Sequence, residues 1–294
     1  MALLLGLFYV AIMLALLSSR PRVAMRGRLG LRPALLFLVP LVLWSVFTGV
    51  LALVGGVTAG FALLLAAYLL MPSLMVYAGR HWGRRLGWRD LVAVLLLWLP
   101  VEFTLGKSLI PVHAHSLANE AAQGSATVLA LALFVVFRDW PDHKYCWPRR
   151  AGDFKNALVG FVVLALPLAV LGRLLGFLGP FQLPAPPDPV GFLRRFSITL
   201  LGVAIPEELL FRSLIQNWLV RRFGHPVRGL LAAALVFGAS HLNNAPGPLP
   251  NWRYMILATI AGLGYGLVFQ RSSSVLASAV LHAFVNTVRH TFFR

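Results

Sequence analysis

The chain has 294 residues, 59% of them hydrophobic and only 12% charged, with a mean hydropathy of +0.80. Soluble domains carry roughly 25% charged residues, so this chain lacks the polar surface to cover a water-soluble globule. Its net charge of +17 does not signal nucleic acid, because the basic residues gather between apolar blocks, where anionic lipid headgroups attract them, and no aromatic–basic recognition motif is visible.

The apolar blocks are about as long as a bilayer core is thick, and only helices or closed barrels satisfy their own backbone in lipid. The expectation is an all-α, polytopic transmembrane helical bundle of about ten spans. They run over 2–17, 34–54, 58–77, 91–110, 126–137, 156–178, 192–220, 229–242, 254–270 and 275–291. The fifth and eighth are short, so the expected range is eight to ten. Ala2–Leu17 has no basic side chain before it, and Arg20, Arg22, Arg26 and Arg28 follow it. That is the reverse of a signal peptide, so the block reads as a first span with its N-terminus outside. Threaded this way, the inside segments hold more than twice as many basic residues as the outside ones. The inside set includes Arg80, Arg84, Arg85 and Arg138, and the outside set Arg173, Arg289 and Arg294. Trp82, Trp88, Trp140, Trp147 and Trp252 near span ends read as interfacial anchors. Cys146 is the single cysteine, which excludes an intrachain disulfide.

Five prolines between Gly179 and Pro189 exclude helix and favour an extended connector. They divide the chain into an N-terminal six-helix module (1–178), a connector (179–190) and a C-terminal four-helix module (191–294). In the ninth span Ala258, Gly262 and Gly266 repeat at i+4, a small-residue stripe that lets two helices approach closely.

Acidic residues are scarce, and Glu102, Glu207 and Glu208 fall inside apolar stretches. A charge near the bilayer centre costs at least ~2.5–3.5 kcal/mol, which makes such residues functional candidates where a partner can be named. Glu208 and Arg212 are i and i+4 and can pair, while Glu207 points about 100° away on a regular helix. Pro206 removes a backbone donor just before them. His241 closes the eighth span. His282 and Asn286 share a face of the tenth. A buried carboxylate can take a proton from water, and His and Asn donors can stabilise an oxyanion, so this inventory suits peptide hydrolysis. Glu102 has Lys107 as its nearest evident partner, and His113, His115 and Glu120 form a weaker metal candidate.

Glu207-Glu208-x-x-x-Arg212, Phe237-x-x-x-His241 and His282-x-x-x-Asn286, in that order, resemble the three motifs of the CPBP family. This is also called the Abi or CAAX-protease family of intramembrane endopeptidases, and it includes the type II CAAX prenyl proteases. The resemblance covers about Phe192 to Thr291. It implies that Glu207 activates water with help from His241, that Glu208 and Arg212 are motif neighbours with Arg212 orienting the carboxylates, and that His282 and Asn286 stabilise the oxyanion. It also implies a protein or peptide substrate with a membrane-associated or lipidated segment; no cofactor is expected, because Glu, His, His and Asn suffice for metal-free general-base and oxyanion chemistry. The setting would be a bacterial or archaeal cytoplasmic membrane. Eukaryotic and archaeal relatives cut prenylated tails; bacterial members are associated with peptide maturation, protein sorting tails or bacteriocin self-immunity.

Two other readings compete. Glu207, His241 and His282 could ligate zinc as a His₂-carboxylate set in a metallopeptidase, although no His-Glu-x-x-His helix is present. Intramembrane Glu, Arg and His also mark pathways in transporters, and a silent immunity protein could use the same scaffold.

Overall fold

The structure is a computed structural model that describes residues 1–82, 87–104, 106–244 and 248–293. Arg84, Arg85, Arg294 and the side chain of Trp82 lie outside the described residues. The fold is all-helical, as expected, with one isolated antiparallel bridge between Phe181 and Phe293. Each expected span has a helix in its place. Among the described residues five helices are both long and apolar enough to cross a membrane, and a sixth forms if two bent N-terminal helices make one broken span. The helices at the other expected spans fall short of that length and apolarity for two physical reasons. Some helices are short, and those of the candidate site carry the polar groups that lower their own hydropathy.

The chain divides into two compact units, Met1–Pro141 and Asp142–Arg294. The division falls well before the proline-rich stretch, which therefore lies within the second unit.

The first unit contains α1 (Ala2–Ala15), α2 (Ser19–Leu31), α3 (Leu38–Leu53), α4 (Ala59–Ala78), α5 (Trp88–Glu102) and α6 (His115–Ala130). α1 is 14 residues long, about 21 Å at 1.5 Å per residue, short of a ~30 Å hydrocarbon core. It turns by 87° into α2. Tyr9 on α1 donates to or accepts from Ser125 Oγ at 2.8 Å, and Gly124 leaves the room its ring needs.

α6 continues as a π-helix over Leu131–Phe137. The Val135 and Val136 carbonyls there each accept from Arg26 at 3.0 Å, and Arg26 also pairs with Asp139 at 2.7 Å. Arg138 forms a buried two-point ion pair with Asp90, at 2.9 and 3.1 Å, and donates to the Gly79 carbonyl. Asp90 in turn accepts from the Gly87 amide at the start of α5. Trp140 is 1% exposed and packs edge-on against Phe134, so it is a core residue and not an interfacial anchor. Trp88, Trp147 and Trp252 are exposed. Glu102 accepts from Trp98 Nε1 one turn earlier, which replaces Lys107 as its partner.

The second unit contains α7 (Gly152–Leu174), a continuous helix α8 over 189–223, α9 (Pro226–Ala239), α10 (Trp252–Arg271) and α11 (Val275–Phe292). α7, the sixth expected span, packs against α10 and α11. Asp153 in its first turn accepts from the amide and hydroxyl of Ser273, between α10 and α11. Lys144 in the preceding loop donates to the Phe269 and Gln270 carbonyls, and burial lowers its amine pKa below the ordinary lysine range. The small-residue stripe of α10 meets α9. A Cβ on Gly262 would come within 3.0 Å of Phe237, and one on Gly266 within 2.3 Å of Leu230.

Removing one partner of a buried ion pair strands the other charge, which costs about 3–5 kcal/mol. Arg138→Ala should therefore lower the melting temperature of the purified protein far more than Arg26→Ala, whose pair is about one-third exposed.

Candidate active site

α8 carries the carboxylates. It is not a regular α-helix there: Ile205–Glu208 is flanked by π-helical segments, Leu200–Ala204 and Leu209–Gln216. The helix runs on through Pro206, whose missing amide falls beside the first widened segment. π-helical turns re-aim side chains relative to a 100° step and are often found at functional sites.

Glu208 is fully buried. One carboxylate oxygen accepts from Arg212 Nε at 3.1 Å, and the other meets His282 Nδ1 at 3.1 Å. Arg212 is fully buried as well. Its guanidinium lies 4.8 Å from the centroid of the Phe237 ring and 5.9 Å from that of Tyr265, so aromatic faces meet the part of the cation that the carboxylate does not. The opposite nitrogen of His282 lies 3.8 Å from Glu207 Oε2. Glu207 is one-third exposed, whereas Glu208 is sealed off. The expected divergence of the two carboxylates is thus resolved by the ring between them, which meets one at each nitrogen. Tyr265 stacks on that ring at 4.6 Å and 17°, which limits its rotation.

His241 follows α9. Its Nδ1 lies 2.8 Å from the Phe237 carbonyl, which leaves Nε2 for other partners. Its ring packs edge-on against Tyr254 at 4.5 Å and Phe237 at 4.8 Å.

His241, His282 and Asn286 line one cavity of about 90 Å³. That is room for several water molecules. Glu207 is not on its wall and meets it through His282. Two further polar residues on the wall, Tyr254 and Arg289, were not anticipated from the motifs. Arg289 had a readable signal: it follows Asn286 by three and His282 by seven, the same face of α11.

Among the described residues no three His, Cys, Asp or Glu side chains are gathered as a metal site. The zinc set of Glu207, His241 and His282 is therefore not assembled here. In the first unit His113 and His115 each meet a backbone carbonyl, Val54 and Ile110 respectively, so the weaker candidate is not assembled either.

Residues 189–288 match the family model described as type II CAAX prenyl endopeptidase Rce1-like. This region, from the start of α8 into the last turns of α11, is similar to that family over about a third of the chain, and it contains all six motif residues. No curated protein and no solved structure matches the chain.

Arg212→Met should destabilise the protein by about 3–5 kcal/mol, because Glu208 keeps a buried charge with one donor fewer. Adding Glu208→Gln should restore part of that loss. Thermal unfolding of the two single variants and the double variant measures the coupling.

Proposed function

We propose that this protein is an intramembrane endopeptidase that hydrolyses a peptide bond with water activated by Glu207. The observation that carries this reading is the imidazole of His282, held between Glu207 and Glu208 on one side of a cavity that His241 and Asn286 also line. Glu208 is committed to Arg212, so it orients His282 and does not itself react. Glu207, one-third exposed where Glu208 is sealed off, accepts a proton from water attacking the scissile carbonyl. It returns that proton to the leaving amine as the tetrahedral intermediate collapses. The 3.8 Å gap to His282 is longer than a hydrogen bond, as catalytic contacts often are before substrate tightens them. Asn286 and His241 line the same cavity and supply donors to the oxyanion, within a wall of aromatic and aliphatic side chains that would strengthen such hydrogen bonds.

The substrate is a protein or peptide that reaches the site from the membrane. The prenylated C-terminus named for the matched family is the substrate class to try first. The multi-pass character follows from the apolar helices.

Glu207→Gln should lower the cleavage rate by about 10²–10⁴-fold while leaving the melting temperature within a degree or two of wild type. Full activity in that variant rejects the mechanism. Asn286→Ala should lower kcat by about 10²–10³-fold with little change in KM, as expected for a donor used in the transition state. Comparing membrane peptides from cells with wild type and with Glu207→Gln would identify the substrate.

A further inference from the structure

Arg289 sits in the last turn of α11, half-buried, on the wall of the cavity that His282 and Asn286 share. Its guanidinium lies 4.4 Å from the centroid of the Phe177 ring and 4.9 Å from that of Tyr254. Tyr254 also packs against His241, so one ring touches both the cation and a candidate oxyanion donor. Among the described residues no carboxylate pairs with Arg289. Two buried arginines, Arg138 and Arg212, each have one. An arginine guanidinium presents five donors in a planar fork suited to a carboxylate, and stacking on rings fixes that fork at little entropic cost. The cation is thus oriented and faces a cavity that lacks an anion of its own.

The spacing sets a scale. Asn286 and Arg289 are three residues apart, and His282 and Arg289 seven, or about 10 Å along the helix axis. An extended peptide covers that distance in about three residues.

We propose that Arg289 is a specificity-determining residue of the cavity. It binds a carboxylate of the substrate, at the chain end or on an Asp or Glu side chain, within about three residues of the bond that is cut. This assignment rests on the peptidase reading.

The test uses the full chain in phosphatidylcholine vesicles, which carry no net headgroup charge. The probe is a pool of internally quenched peptides anchored by an N-terminal palmitoyl chain. It is prepared as free acids, as carboxamides, and as carboxamides with one Asp or Glu near the end. Wild type should show a KM at least about tenfold lower for one of the two anionic forms than for the neutral form, and which form is preferred identifies the source of the carboxylate. Arg289→Gln should abolish the difference by raising KM for the preferred form while kcat stays within about threefold. Arg289→Lys should restore part of it. Equal cleavage of all three forms by wild type overturns the proposal. So does a uniform loss on all forms in Arg289→Gln, which marks a merely structural role.

A binding arm separates this inference from the reading beneath it. Fluorescence titration of Glu207→Gln with the same peptides should show the anionic preference, and Glu207→Gln/Arg289→Gln should not. Selective binding without cleavage by wild type retains the carboxylate site and rejects the peptidase. Cleavage without anionic preference does the reverse, and absence of both overturns both.

Discussion

The buried carboxylate of Glu208 is the constraint on which the second unit depends. An ion taken out of water loses several kcal/mol of solvation, and only close donors at both oxygens can offset that loss. Arg212 supplies one from the next turn of the same helix. His282 supplies the other from α11, so the pairing ties two helices together and fixes the orientation of the imidazole. Stacking on Tyr265 then holds the ring in plane. The face that His282 turns toward Glu207, and the wall it gives the cavity, both follow from that arrangement. A chemical role for Glu207 therefore presupposes a structural one for its neighbour.

The first unit solves a similar problem with different residues. Asp90 and Arg138 form its buried pair, and the Gly79 carbonyl and Gly87 amide complete their hydrogen bonding. In both units a π-helical segment lies beside the charged group: Leu131–Phe137 precedes Arg138, and Leu209–Gln216 contains Arg212. Widening the turn exposes carbonyls, which Arg26 uses at Val135 and Val136. It also shifts side chains off the usual helical lattice.

That shift explains what could and could not be read beforehand. Glu208 and Arg212 at i and i+4 were legible because a one-turn pairing survives local widening. His282 and Asn286 were legible as one face of a regular helix. The meeting of both carboxylates on one imidazole was not, because a fixed step of 100° sends Glu207 elsewhere and because the partner lies on a helix far along the chain. The packing of α7 within the second unit was also illegible. Prolines mark where a helix must stop, but α7 is joined to α10 and α11 by contacts such as Asp153 with Ser273, which no local pattern announces. Trp140 was misread for a related reason: a tryptophan near a charged segment can be an anchor or a core residue, and packing on Phe134 decides it.

α7 lies outside the stretch that matches the Rce1-like model, yet it and the turn after it supply Phe161 and Phe177 to the cavity wall. Part of the surface proposed to meet the substrate thus comes from a different stretch of the gene than the groups proposed to move protons. Variation in one can alter which molecules are accepted while the other keeps its chemistry. A lineage could diversify its targets by exchanging the helix upstream of an unchanged reaction centre.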